Sequence, residues 1–424
     1  METRIRNNEH LKERSKSFVI SSNKTVIKIK MTPQNTINKS DFENNARKSD
    51  NKSDDCKEMF LTKRIGTDYS YKHQIVWKNA IGFLFLHLLA LWGLCIMLTG
   101  GITIKTFLWY LLLTFISTEG VTIGAHRLFA HKTFKASPAL KVILLLAQTM
   151  AGQNSVFIWS RDHRLHHRYS DTDGDPHNSK RGFFFCHIGW LMMKKHPYVL
   201  NLGMRIDMSD LQADWMVMFQ KKYYYYLYFV LAVFIPVFVP CYYFGETFRT
   251  SLLTCYFARY IIQLNGTWLV NSAAHLFGTR PYDKKLQPVE SWFVSFISLG
   301  EGWHNYHHAF PWDYKAAELS MHFNQSASFI RFFERIGLAY DLKTADSELV
   351  RRRVTKSGDG THYALGNEKD QNSVKAIGIL HPLNPSYNVV YTAPEAVLED
   401  KGLPLNHEND VFDPSVAKRK TATA

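Results

Sequence analysis

The chain has 424 residues, 46% hydrophobic and 14% aromatic, with 51 Lys+Arg against 37 Asp+Glu and a formal charge of +14. A basic balance suits nucleic acid, an anionic membrane face or an anionic substrate, but the cations are spread along the chain without zinc-finger, RNP or Arg-rich signatures, which argues against nucleic acid. The five cysteines, Cys56, Cys95, Cys186, Cys241 and Cys255, lack Cys-x-x-Cys pairing, so neither a disulfide scaffold nor a cysteine zinc site is expected.

Residues 1–60 are polar, with Lys-Ser-Asp recurring at 39–41, 48–50 and 52–54. Such a composition buries too little apolar surface to offset ordering entropy, and a disordered tail is expected. Segments 79–99 and 102–124 each approach the roughly 20 residues that cross a bilayer, and Gly100–Gly101 joins them as a hairpin. Between them and the next span, 139–151 is apolar for too short a stretch to cross, which predicts a buried or interfacial helix. Segment 183–193, followed by Lys194 and Lys195, reads as interfacial. Segments 223–245 and 250–272 are the third and fourth spans, the fourth less apolar and so expected to face protein on one side. Two hairpins return both termini to one side. Lys63, Arg64, Lys72 and Lys78 precede the first span and many Lys/Arg fill 127–222, which makes that side cytosolic. Residues 61–344 thus form the membrane domain, and 345–424 a polar cytosolic tail.

Three histidine clusters fall on that side: His126-Arg-Leu-Phe-Ala-His131, His163-Arg-Leu-His166-His167 and His304-Asn-Tyr-His307-His308. On a helix, HxxHH keeps its first and last imidazoles on one face, while the adjacent pair diverges by about 100°, so one cluster can serve two metals. Five residues turn an ideal helix by about 140° beyond a full turn, so His126 and His131 converge only where the helix ends or bends. Imidazole-rich ligation suits Zn, Cu, Fe or Ni. Eight boxed histidines exceed one tetrahedral site and point to two metals. Isolated His87 reads as structural, and His177 and His187 receive no ligand role.

In these residues the sequence resembles the membrane acyl-CoA desaturases. The strings that carry the resemblance include GAHRLFAH (124–131), RDHRLHHRYSDTDGDPHNSKRGFFFCHIGW (161–190), TWLVNSAAHLFGTRPYD (267–283) and GEGWHNYHHAFPWDY (300–314), within a match running from Trp77 to Tyr340. The resemblance implies an all-α membrane protein, with four transmembrane helices beneath a cytosolic helical cap holding a histidine-ligated di-iron centre. It implies a ninth ligand at His275 and a water-mediated one at Asn271. One iron would take His126, His131, His163, His167 and His307; the other would take His166, His275, His304 and His308. Carried-over acyl-CoA contacts are Asn79, Asn154, Arg161, Asp162, Lys194, Lys195 and Trp268.

The reaction implied is O2-dependent insertion of a double bond into a saturated fatty acyl-CoA at the endoplasmic reticulum membrane. Its electrons would come from a separate cytochrome b5 and its reductase, since no fused His-Pro-Gly-Gly signature occurs. The chain departs from the stearoyl-type enzymes at Thr114 and Thr118, where they carry tyrosine and alanine near the blind end of the acyl tunnel, so these two are candidates for setting chain length. Glu119 is costly inside a membrane. It reads as a structural hydrogen bond between helices in preference to a contact with a polar substrate. Two alternatives differ in outcome. A histidine-box lipid hydroxylase would yield an alcohol, and a metal transporter or sensor would carry its ligands within the spans.

Overall fold

The computed structural model describes residues 65–318 and 323–366. The expectations for 1–60 and for 367–424 lie outside the described residues.

The regular structure of the described residues is almost wholly helical. Helix α1 is Trp77–Leu98 and α2 is Ile104–Ala130. Then come β1 (Lys135–Ala136), α3 (Pro138–Ala151), α4 (Val156–Tyr169), α5 (185–192), α6 (Pro197–Gly203) and α7 (Ser209–Ala213). Helix α8 is Trp215–Tyr243, and α9 runs without interruption through 248–271. Short helices α10 (Ala273–Leu276), α11 (Trp292–Ile297) and α12 (His304–Ala309) precede α13 (Gln325–Arg335), β2 (Ala339–Tyr340) and α14 (Ser347–Ser357). The only sheet among the described residues pairs β1 with β2 antiparallel.

Three of these helices, α1, α2 and α8, are long and apolar enough to cross a bilayer, which makes this a membrane protein. The expected fourth span is a continuous helix, but Arg249, Arg259, Gln263 and Asn265 dilute it below that apolar class. Helices α3 and α4 would qualify together only as a pair bent by 82°. The two hairpin tips meet. Glu246, between α8 and α9, accepts from the Thr103 amide at 2.7 Å and from the Thr106 hydroxyl at 2.9 Å at the start of α2.

Two prolines explain how α8 binds its neighbours. Pro236 and Pro240 have no N–H to offer the carbonyls four residues back. The freed Ala232 carbonyl accepts from the Arg259 guanidinium at 3.1 Å, and the freed Pro236 carbonyl accepts from the Trp109 indole at 3.3 Å. Arg259 is fully buried and also donates to the Cys255 carbonyl at 3.0 Å. The polarity of the fourth helix therefore points into protein, as its composition suggested.

Glu119, on α2, accepts from Thr122 (3.0 Å) and from Ser326 of α13 (2.8 Å). It ties α2 to the amphipathic α13, whose Phe329 packs on Phe115 at 5.4 Å. The Thr114 and Thr118 hydroxyls bond back to the Tyr110 and Thr114 carbonyls of their own helix, both at 2.8 Å.

Close packing of α1 on α9 depends on Gly93, where a Cβ would stand 2.1 Å from the Leu253 carbonyl oxygen. Backbone cannot move aside there as a side-chain end could. Gly93→Leu is expected to destabilise the protein by about 3 kcal/mol, as severe overpacking does, which a fall in the thermal midpoint of the detergent-purified protein would register.

Candidate metal centre

The first cluster lies at the end of α2, where the helix widens. Over Gly120–Ala130 the bonding is of the i→i+5 kind, and the His131 amide closes on the His126 carbonyl at 3.1 Å. Such a helix turns less per residue than an α-helix, so residues five apart come closer to one face. The two rings lie 4.9 Å apart. The expected convergence is thus achieved by widening, where an end or a bend was anticipated. Gly120 permits the widened segment to seat on α3, since a Cβ there would meet the Ala147 backbone at 2.4 Å.

The second cluster occupies the last turns of α4, and the third forms α12. His275 lies on α10, just past the end of α9. The ligand atoms of His126, His131, His163, His167 and His307 all lie within 4.8 Å of one another, as do those of His166, His275, His304 and His308. These are the same two sets that the resemblance implies. As expected from an HxxHH helix, each such cluster divides between the sets.

Within the first set the Nε2 atoms of His126 and His307 are 3.0 Å apart, of His131 and His163 2.8 Å, and of His167 and His307 3.0 Å. In the second set His308 stands 3.3 Å from His166 and 3.2 Å from His304. Ligands about 2.1 Å from one cation would have similar spacing.

Which nitrogen faces the centre is decided on the far side of the rings. Nδ1 of His126 meets Glu301 at 2.8 Å, Nδ1 of His166 meets Asp175 at 2.8 Å, and Nδ1 of His275 meets Asp171 at 3.2 Å. A proton held on Nδ1 leaves the Nε2 lone pair free to ligate. The buried Nε2 of His275 has no hydrogen-bond partner. Nine imidazoles converging ring nitrogens on two spots fit a pair of metal cations.

The electrostatics agree for six of the nine rings; at His166 burial opposes the charged form, but Asp175 raises the ring above its ordinary value. Burial and then the surrounding imidazoles hold His131, His304, His307 and His308 well below the ordinary histidine range, in the neutral form that binds metal. Burial resists ionisation of Glu301, but Arg127, which donates to it at 2.8 Å and 3.0 Å, and His126 bring its carboxyl down to about 2. Burial likewise opposes Asp171 and Asp175, and His275 and His166 hold their carboxyls below the usual range.

The three orienting carboxylates were not singled out from sequence. Their signal is the acid-rich Asp171-Thr-Asp173-Gly-Asp175 directly after the second cluster and Glu301 three residues before the third. Asp171 takes a left-handed backbone (φ 57°) and also accepts from the Ser179 amide and hydroxyl, while Asp173 holds Arg181 at 2.6 Å. His177 lies against Asp175, whose Oδ1 is 3.3 Å from its Nδ1. Another unforeseen arrangement lies beneath His163. Trp159 stacks on that ring and donates to Gln153 at 3.2 Å, and Gln153 donates to Thr267 of α9 at 2.8 Å. Asn271 ends α9, half-buried, one turn before His275.

Of the residues expected to contact substrate, Arg161, Asp162 and Lys195 line one open cavity of about 340 Å3, together with Phe157, Leu200, Met204 and Met208. Asp162 accepts from Arg161 (2.7 Å) and Lys195 (2.8 Å). Lys194 does not line that cavity, and its amide donates to the Gln74 carbonyl at 2.9 Å. Asn79 donates to the Leu191 carbonyl at 2.9 Å, Asn154 sits in the α3–α4 turn at φ 67°, and Trp268 is buried against Phe83 and His87. These three do not line the cavity. His87 is bound to the Phe83 carbonyl at 2.7 Å, a structural place, and His187 bonds Ser272 and Asn265.

Removing one orienting carboxylate tests the arrangement. Asp175→Ala is expected to weaken metal binding about 10- to 100-fold, measured by competition against a chelator of known affinity.

Comparison with known proteins points the same way. The family described as "Fatty acid desaturase" matches residues 103–329. An acyl-CoA Delta-9 desaturase of Acheta domesticus is 50% identical over 302 residues, covering 71% of this chain and 84% of that protein. The stearoyl-CoA desaturase of Homo sapiens is 47% identical over 293 residues, 69% of this chain and 81% of that protein. An acyl-CoA Delta12-desaturase of Acheta domesticus is 47% identical over 302 residues, again 71% and 84%.

Proposed function

The chain belongs to the fatty acid desaturase family, and on that premise we propose that it inserts a double bond into a fatty acyl-CoA. The observation that carries this reading is the convergence of nine imidazoles on two spots, with three of the rings turned by buried carboxylates.

The metals are two irons, one held by His126, His131, His163, His167 and His307, the other by His166, His275, His304 and His308, with Asn271 contributing through a water. When bound, they supply the O2-dependent oxidising power that removes hydrogen from an unactivated methylene pair. Electrons come from cytochrome b5 and its reductase.

The chain's own residues do the rest. Arg161 and Lys195, charge-balanced in part by Asp162, hold the phosphates of CoA at the mouth of the cavity. Lys194, Asn79, Asn154 and Trp268, which do not line that cavity, contact other parts of the acyl-CoA. Trp159, braced by Gln153 and Thr267, fixes the His163 ring and keeps water from the centre. Thr114 and Thr118 set how deep the acyl chain runs.

Four helices, α1, α2, α8 and α9, cross the membrane of the endoplasmic reticulum, and the histidine-bearing elements form a cap on its cytosolic side with both termini. The meeting of the two hairpin tips at Glu246 supports this arrangement. The chain from 345 to 366, expected to be part of a polar tail, is instead packed on the histidine-bearing elements, with Val350, Val354 and His362 buried.

Expression in desaturase-deficient yeast tests the activity. Growth without added unsaturated fatty acid, with new monounsaturated acyl chains in the lipid extract, is the expected result; an alcohol product, or metal flux without O2 uptake, would replace the reading. Arg161→Ala with Lys195→Ala is expected to raise KM for the acyl-CoA at least about tenfold, as loss of charge-assisted hydrogen bonds does, while kcat changes little.

A further inference from the structure

Helix α12 carries three of the nine imidazoles on only six residues, too few to be stable on their own. It is held from behind by side chains that touch no ligand atom. Asn305, fully buried between His304 and His307, accepts from the Tyr282 and Asp283 amides at 2.9 Å and 3.0 Å. Its own amide donates to the Asp283 and Pro288 carbonyls, both at 3.0 Å. The Tyr306 hydroxyl donates to Asp313 at 2.8 Å.

The loop that grips Asn305 is itself gripped on its other side by residues 345–366. The Ala345 amide donates to Asp313 at 2.9 Å, and Arg353 of α14 to Asp283 at 2.8 Å. The Lys284 amide bonds the Ser357 carbonyl at 2.9 Å, the Asp359 amide bonds the Arg280 carbonyl at 3.1 Å, and the Asp359 carboxylate accepts from the Arg280 amide. Gly358 lies so near Pro281 that a Cβ would stand 2.3 Å from its carbonyl oxygen. At the far end buried His362 meets Glu318 at 2.8 Å, and Glu318 also accepts from the Tyr282 hydroxyl at 2.7 Å. The Tyr282 ring packs edge-on against Tyr306 (5.0 Å) and His362 (5.5 Å), and Val350 and Val354 complete the same apolar cluster.

We infer that residues 345–366 are a strap that positions α12, fastened at Gly358 and at the His362–Glu318–Tyr282 cluster, and that the strap governs metal occupancy. The inference rests on the metal-centre reading above and adds the residues that hold one ligand helix in place. It carries an asymmetry. Helix α12 gives His304 and His308 to the four-histidine set and only His307 to the five-histidine set. Loosening the strap therefore empties the four-histidine set first.

The test uses the full-length, iron-loaded, detergent-purified chain and follows metal per chain and its rate of release to a chelator, beside helix content by circular dichroism. In Gly358→Val and His362→Phe, about half of the metal is expected to leave at least about tenfold faster than from the unsubstituted chain, with helix content unchanged. His362→Gln, which can still donate to Glu318, is expected to release metal like the unsubstituted chain. Release from Gly358→Val and His362→Phe at the unsubstituted rate overturns the strap. Loss of all metal together with helix content also overturns it, because the segment would then only support the fold. Fewer than two metals in the unsubstituted chain removes the metal-centre reading itself, and the strap falls with it.

Discussion

Three buried carboxylates each take the Nδ1 side of an imidazole, and the centre depends on that pairing. A neutral imidazole carries one proton, and a ring presents a lone pair inward only if that proton is held outward. Glu301, Asp171 and Asp175 do this for His126, His275 and His166. The anions are kept ionised in the interior by cations or donors of their own. Arg127 serves Glu301, and the backbone amides of the Asp171–Ser179 loop serve the two aspartates. Polarity thus passes outward from the rings to the carboxylates and on to the groups that hold them, and each of the three carboxylates is hydrogen-bonded.

The apolar helices supply a frame stiff enough for that pairing to persist. The i→i+5 stretch of α2 would be a poor hydrogen-bond ladder by itself. It persists because the whole of Gly120–Ala130 is buried, seated on α3 through Gly120. Similarly the two prolines of α8 expose carbonyls that would be liabilities in lipid. Arg259 and Trp109, from two other helices, take them and convert each break into a cross-helix bond.

Much of this was legible in the residues. The HxxHH spacing, the division of each such cluster between two sets of rings and the apolar spans follow from helical periodicity and bilayer thickness, which act locally. The parts that were not legible act through tertiary contact. Nothing in the spacing of His126 and His131 announces a widened helix, because widening is stabilised by what packs on it. The roles of Asp171, Asp175 and Glu301 depend on rings that approach from elsewhere in the chain, and an acid-rich loop on a basic chain reads as solvated surface until those rings are seen. Glu119 is the converse case. Its cost in a membrane was plain, and its partner Ser326, some two hundred positions away in sequence, became visible only once α13 was seen to lie against α2.

Segments 126–131, 163–167, 275 and 304–308 must all arrive before both sets of imidazoles are complete. No single element can bind a cation well with its own histidines, since α2 contributes two rings, α4 three and α12 three, with α4 and α12 divided between the sets. Metal binding at these rings would therefore couple the apolar hairpins to the histidine-bearing elements, and its free energy would be available only to the fully assembled fold. A displaced α12 takes two rings from one set and one from the other, whereas a displaced α2 takes two from a single set. The two sets are therefore unequal in mechanical exposure despite being alike in chemistry. The four-ring set, which leans on the short helix and on one lone histidine past the end of α9, is the one that the rest of the structure has to hold.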